Sequence, residues 1–294
     1  MPADVDEYYL SAGAVRRAFD AVSMEYESAA GVQREIRGRL LERLDLVRLA
    51  PAAVLDLGAG DGEGARSLKE RYPRAQVLAL DLSFKMLERA ARRQRLWRRF
   101  ARVLGDAQRL PLRSASVDLV FSNLTLEWCA DPDAVFTEVR RVLRPGGLFT
   151  FATLGPDTLK ELREQWRRLD AYPHVHRFID MHDLGDALMR ARFAEPVMDV
   201  ERLTVTYGGF EALHRELKST GSRNLAQGRR RGLAGRAYRR ALQELRSGLM
   251  RDGLLPVSLE AVYGHAWAGE VRQAPASKAE VKVPVSALRR SRRE

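Results

Sequence analysis

Three acidic residues and three glycines are spaced as a ligand cradle would need them. Residues 54–64 read VLDLGAGDGEG, in which Asp56 closes an apolar run and Gly58, Gly60 and Gly62 follow at alternate positions. Glycines there permit a tight turn and let a ligand lie close to the backbone. Asp81 closes a second apolar run, QVLALDL, where a carboxylate can accept both hydroxyls of a ribose. Asp106 follows a third, in VLGDAQRLPL, where it can accept from an adenine amino group. A glycine pattern alone would also suit a dinucleotide-binding domain. That fingerprint, however, is Gly-x-Gly-x-x-Gly with the acid about 20 residues later. Here an acid also precedes the glycines and the spacing is tighter.

Strand ends must hold these residues in place. AAVLDLG, QVLALDL, RVLGDA, VDLVFSN and GGLFTFATL read as five short buried strands. Helical patterns fall between them, at 62–72, at 83–100 with Ser83 as N-cap, and over DAVFTEVRRVL, which Pro145-Gly146-Gly147 should stop. Residues 12–49 carry helical spacing through Val15, Phe19 and Val22, then Ile36, Leu40, Leu41 and Leu44. Helices are also expected at 156–170 and 182–192. Two later strands are expected in PVMDVERLTVTY and LPVSLEAVYGHAWA, with basic helical material between. Alternating strands and helices predict an α/β fold, a mostly parallel sheet covered on both faces.

Composition narrows the setting. The 294 residues are 45% apolar, enough for a real core. No apolar run reaches the ~18 residues of a membrane span. The first residues, MPADVDEYYL, lack the basic region and apolar run of a secretory signal. Cys129 is the only cysteine, which excludes an internal disulfide and a multi-cysteine zinc site and fits a reducing cytoplasm. The formal charge is +11, carried almost wholly by arginine. A genome rich in arginine codons would produce that bias, and so would a surface selected for an acidic partner, whether nucleic acid or protein.

In order and spacing, Asp56 with its glycines, Asp81, Asp106 and VDLVFSNLTLEW resemble the class I S-adenosylmethionine-dependent methyltransferases over roughly residues 50–153. The resemblance implies a doubly wound, Rossmann-like sheet of seven strands and S-adenosyl-L-methionine as cofactor. It places Asp56 and the Gly58–Gly62 loop at the methionine portion and Asp81 at the ribose. Leu82 and Met86 would lie near the adenine, Asp106 and Ala107 at its edge, and Asn123 and Leu124 beneath the sulfonium. FDAVSMEY is similar to an N-terminal lid segment of such enzymes, with Tyr26 over the cofactor; Ser23 stands where that segment usually has Ala.

The fourth strand lacks Asn-Pro-Pro-Tyr, which argues against methylation of an amide or base nitrogen. The second half, through HVHRFIDMHDLGDAL, PVMDVERLTVTY and RELKSTGSRN, resembles the malonyl-[acyl-carrier protein] O-methyltransferases of biotin synthesis, the BioC family, across most of residues 12–269. Family membership implies capping of a malonyl carboxylate as its methyl ester. The partner would be an acidic acyl-carrier protein; nucleic acid and membrane are not expected. Residues 1–49 would form a helical lid and 50–270 the methyltransferase domain. Insertions at about 155–182 and 208–253 would bind the acceptor, and 271–294 would be a disordered basic tail. Arg177, then Arg223, are candidates to orient the carboxylate. His174, His176 and the basic residues Arg229, Arg230 and Arg231 are candidates for substrate and carrier. A second basic run spans Arg92–Arg102. Three alternatives share the fold: a complex I assembly factor-like protein that hydroxylates an arginine on a partner, an RNA methyltransferase, and a non-catalytic cofactor binder.

Residues 174–185, HVHRFIDMHDLG, hold three of the five histidines. They resemble a metal site only at first sight, because His182 lies past a structural break. Asp180 reads as the N-cap of a helix, with Asp183 near its positive end. In related folds that helix ends in Gly-Phe; here Arg192 occupies the glycine position.

Overall fold

The computed structural model describes residues 6, 8–95, 97–230, 232 and 235–269. Its centre is a seven-stranded sheet: β1 (Ala53–Leu57), β2 (Gln76–Asp81), β3 (Ala101–Leu104), β4 (Val117–Asn123), β5 (Leu143–Leu154), β6 (Ala194–Tyr207) and β7 (Leu255–Trp267). The spatial order is β3-β2-β1-β4-β5-β7-β6, with β7 antiparallel to both its neighbours. The sheet is therefore mostly parallel, as expected. The ten helices of the described residues are α1 (Ala12–Val22), α2 (Tyr26–Ala29), α3 (Gly31–Arg43), α4 (Glu63–Arg71), α5 (Phe84–Arg92), α6 (Pro132–Val142), α7 (Lys160–Trp166), α8 (Met181–Arg190), α9 (Phe210–Ser219) and α10 (Arg236–Leu249).

Side chains of the central strands alternate between two cores. Leu55, Val120, Phe149 and Phe151 pack under α6 and α8 with Val135, Phe136, Val139 and Leu188. Val54, Val77, Leu119 and Phe121 pack under α3, α4 and α5 with Ile36, Leu40, Leu68 and Ala90. Burial on both faces explains why β1 reads as an unbroken apolar run. A third, smaller core, Leu162, Leu213, Leu255 and Val257, lies under the late insertions.

The caps follow the chemistry of their residues. Ser83 Oγ accepts from Met86 N–H (3.1 Å), and Asp131 Oδ1 accepts from Ala134 N–H (3.1 Å). Asp180 Oδ1 accepts from His182 N–H (2.8 Å), the N-cap its sequence context predicts. Arg192 adopts the left-handed conformation, φ 61°, which explains the glycine of related helices at that place.

Several boundaries differ from expectation. The helix predicted over 83–100 ends at Arg92, because Arg93 turns to pair with Asp61 and Glu63, and Gln94 Nε2 donates to Phe100 O (2.9 Å) across a reversal. The 156–170 helix contracts to Lys160–Trp166. α6 stops at Val142, before Pro145-Gly146-Gly147, because Leu143 already pairs with Val117 as the first residue of β5. The continuous pattern of residues 12–49 breaks into α1, α2 and α3.

Polar contacts tie the N-terminal helices down at several points. Ser83 Oγ donates to Asp20 Oδ1 (2.5 Å), joining α1 to the start of α5. Arg39 and Arg43 of α3 pair with Glu201 of β6, and the Arg43 guanidinium lies 3.7 Å from the centre of the Tyr263 ring. No helix among the described residues is long and apolar enough to cross a membrane. The expected tail, 271–294, lies outside the described residues, as does Arg231.

Candidate active site

The carboxyl ends of β1, β2 and β4 converge on one cleft. Gly58 and Ala59 N–H groups both donate to Leu80 O (2.9 Å), folding the glycine loop across the top of β2. Gly60 N–H donates to Asp81 Oδ2 (2.8 Å), and Ser83 N–H to Asp81 Oδ1 (2.7 Å). Burial pushes the Asp81 carboxyl up to about 6 despite these bonds. Gly58 has φ 73°, and a Cβ there would lie 2.0 Å from Thr125 Oγ1, so only glycine fits. Gly62, φ 81°, is equally constrained: its Cβ would meet that of Ala90 at 2.6 Å, where α4 starts against α5.

Of the expected cofactor residues, Tyr26, Gly58, Gly60, Asp81, Leu82, Asp106, Ala107, Asn123 and Leu124 line this cleft together. Asp56, Gly62 and Met86 are not on its wall. Met86 is wholly buried in the core, and Gly62 seats α4 on α5. Asp56 is 2% exposed and its carboxyl abuts the first turn of α4, where the Ala65 N–H favours its anion. Burial outweighs that bond and the nearby Arg37, and pushes the carboxyl up to about 7. These three residues hold the loop from behind.

The cleft carries polar groups without partners. Asn123 Nδ2 donates to Gln33 O (3.2 Å), but Asn123 Oδ1 is buried with no hydrogen-bond partner among the described residues. Asp56 Oδ2 behind the loop is likewise buried without a hydrogen-bond partner among the described residues, while Asp106, whose Oδ1 accepts from Gln108 N–H (2.9 Å), lines the cleft. Such orphaned acceptors, a glycine loop that approaches any occupant closely, and a carboxylate at the end of β2 fit S-adenosylmethionine.

A second cavity of about 340 Å³ adjoins the first, and Phe19, Tyr26, Leu124 and Trp128 line both. Its apolar wall includes Leu159, Leu162, Trp166 and Leu213, with Val257 of β7. His174 and His176 line it as expected. His174 Nε2 bonds Asp170 Oδ1 (2.7 Å) and its ring stacks on Trp166 (5.4 Å). His176 Nε2 bonds Arg223 O (2.8 Å) and its ring meets Trp128 edge to face (5.0 Å), while burial pushes its pKa down. Phe19 of α1 meets the same tryptophan at 5.2 Å.

The two candidate arginines separate. Arg223 lines the cavity, whereas Arg177 is exposed and absent from its wall, because its neighbours His176 and Phe178 take the inward positions. This reverses their expected order. Arg229 and Arg230 also stand apart from the cavity. Arg229 donates to Ala226 O (3.1 Å); Arg230 stacks on Tyr238 (4.1 Å) and pairs with Asp170 (3.5 Å). The Arg92–Arg102 run is not on the cavity wall either: its Arg93 pairs with Asp61 and Glu63 beside the glycine loop, and Arg102 donates to Leu87 O (3.0 Å). Lys218, Trp128, Phe19, Gln33 and Glu127 enter the cavity wall without having been singled out from sequence. SNLTLEW, ending in Trp128, was the one available signal. No group of three or more His, Cys, Asp or Glu among the described residues could hold a metal.

Residues 55–151 match the family model described as Methyltransferase domain. The chain is 50% identical over 276 residues to the malonyl-[acyl-carrier protein] O-methyltransferase of Methylovorus sp. (strain MP688), covering 92% of this chain and 93% of that protein. It is 50% identical to the same-named protein of Laribacter hongkongensis, over 89% and 91% of the two chains. Among solved structures, the YcgJ protein of Bacillus subtilis shares the fold with TM-score 0.56 at 16% identity, over 81% of this chain and 99% of that one. Phosphoethanolamine N-methyltransferase 2 of Haemonchus contortus, solved with S-adenosyl-L-methionine, shares it with TM-score 0.53 at 21% identity, over 84% of this chain and 57% of that one. With half of its residues shared along nine-tenths of its length, the chain belongs to the malonyl-[acyl-carrier protein] O-methyltransferase family.

Proposed function

We propose that this protein methylates the free carboxylate of a malonyl group carried as a thioester on acyl-carrier protein, with S-adenosyl-L-methionine as donor. The observation that carries the reading is the near-complete overlap with relatives of that name. The ester would mask the charge that otherwise sets malonyl apart from an ordinary acyl primer, as the first step toward the pimeloyl chain of biotin.

The chemistry asks little acid or base work of the protein. A carboxylate with a pKa near ~4 is already an anion at neutral pH. When bound, the cofactor supplies a methyl group made electrophilic by its sulfonium. Asp81 and the Gly58–Gly60 loop would hold that cofactor, and the Asn123–Leu124 turn would form its floor. Phe19, Tyr26, Leu124 and Trp128, common to both cavities, would align the reactants and exclude water. Lys218 and Arg223 are exposed cations on the acceptor wall and would draw the malonyl carboxylate inward. The long, largely apolar cavity suits a thioester on a flexible arm. α1 to α3 would act as the lid. The basic segment around Arg229 and Arg230 would receive an acidic carrier.

The test is transfer of labelled methyl from S-adenosylmethionine to malonyl-acyl-carrier protein. The expected product is a carrier-bound methyl ester, released by mild base. Intact cofactor binding with no label on the carrier would overturn the reading and favour the arginine-hydroxylase alternative.

A further inference from the structure

Glu127 is an acidic side chain where an acidic substrate must go. It sits in the 3-10 turn Leu126–Trp128 that follows β4, between Leu124 and Trp128, the residues common to both cavities. It lines the acceptor cavity but not the cofactor cleft. Thr153 Oγ1 donates to its Oε2 (3.0 Å), and among the described residues no cation forms an ion pair with it. An ionised Glu127 would repel an incoming carboxylate across a few ångströms of low-dielectric space. A neutral Glu127 carries an O–H that can donate to it.

We propose that Glu127 is an acceptor-binding residue: its carboxyl, on the acceptor wall beside the residues common to both cavities, donates a hydrogen bond to the carboxylate about to be methylated. The assignment rests on the malonyl reading above. Its chemistry answers a difficulty of that reading. An arginine in close bidentate contact would hold the carboxylate well but blunt its nucleophilicity. A neutral donor fixes its position with less loss of charge density. The exposed Arg223 and Lys218 then guide entry, and Glu127, beside the shared residues Leu124 and Trp128, sets the final geometry.

The direction of the pH effect follows. Burial pushes the Glu127 carboxyl up to about 7, against the bond from Thr153. Below that pH the donor is present; above it the donor is lost and repulsion replaces it. Other titratable groups face these walls, and one of them, Glu216, is a carboxyl pushed the same way as Glu127. Tyr26 of α2 is pushed up by burial and by Asp61 and Asp81; Cys129, after the turn, is pushed up by burial and Asp106. His176 is pushed down by burial. Glu216 of α9 is pushed up by burial and accepts from Tyr207 Oη (3.1 Å). His174, bonded to Asp170, and His214, Lys218 and Arg223 complete the set. Asp56 and Asp81 titrate in the same region but belong to the cofactor side, so saturating cofactor separates them.

The experiment measures kcat/KM for malonyl-acyl-carrier protein from pH 6 to 9 at saturating S-adenosylmethionine, with cofactor Kd determined at each pH. In the wild type, kcat/KM should fall about tenfold per pH unit above the ionisation of one group. Glu127→Gln keeps a donor that does not titrate. It should lower kcat/KM about threefold at pH 6.5 yet abolish the alkaline limb, so that it overtakes the wild type at pH ~7.5. Glu127→Ala should raise KM for the carrier more than about tenfold at pH 6.5, a deficit that vanishes by pH 9 as the wild type loses its donor, while cofactor Kd is unchanged. Infrared difference spectroscopy should find, at pH 6.5, a protonated-carboxyl band that Glu127→Gln removes. An alkaline limb common to wild type and Glu127→Gln, or absence of that band, overturns the assignment. Absence of label in the wild type overturns the acceptor reading beneath it.

Discussion

The cofactor cleft and the acceptor cavity share four side chains, yet they are built in opposite ways. The cleft is made of backbone: loop N–H groups, left-handed glycines and carboxylates tied at strand ends within a short stretch of chain. The cavity is made of side chains brought from far apart, including α7, the His174–Phe178 connector, α9 and β7. One region is dictated by conformation, which few residue types satisfy. The other is dictated by shape and charge, which many residue types satisfy. The first should therefore be brittle to substitution and the second graded.

Gly58→Ala should give the largest effect. The new Cβ cannot coexist with Thr125, and the strain falls on the loop itself. Calorimetry should find cofactor affinity down at least ~100-fold, which is about 2.7 kcal/mol. A near-normal Kd would break the contrast. Asp81→Asn should come next, with cofactor Kd weaker by roughly 10- to 100-fold from lost charge-assisted bonds. The same variant should raise the melting temperature of the cofactor-free protein at pH 8. The folded carboxyl sits at about 6, above its ordinary 3.8, so its stabilising contribution is full below ~3.8 and lost as pH rises through about 6. Removing the charge removes that penalty. In the acceptor cavity, Arg223→Ala should raise KM for the carrier substrate about tenfold, or 1.4 kcal/mol, with cofactor Kd unchanged. Arg177→Ala, at an exposed position outside the wall, should move neither constant. Arg192→Gly touches neither region and should stabilise the fold by about 1 kcal/mol in chemical denaturation, by relieving a left-handed arginine.

The contrast also explains what could be read in the sequence. Gly58 and Asp81 are legible because the cleft needs those residue types at that spacing. Asp180 and Ser83 are legible as caps because a cap is a local bond. Met86 and Gly62 lie one layer back: the sequence reveals that they stand beside the cofactor residues, but not that they face the core. Arg177 against Arg223 was undecidable, since inward and outward positions in an irregular connector follow no period. Glu127 gave no sign at all. A glutamate after a strand is ordinary until the bond from Thr153 and the surrounding apolar walls show that it is half-buried there.

Phe19, Tyr26, Leu124 and Trp128 form a partition of side chains common to the two spaces. Whatever one ligand does to those side chains, the other ligand meets. Any factor by which cofactor strengthens acceptor binding must equal the factor by which acceptor strengthens cofactor binding, because the two paths around the cycle reach one ternary complex. A shared partition makes the two affinities a single coupled quantity, so neither Kd is a property of one pocket alone.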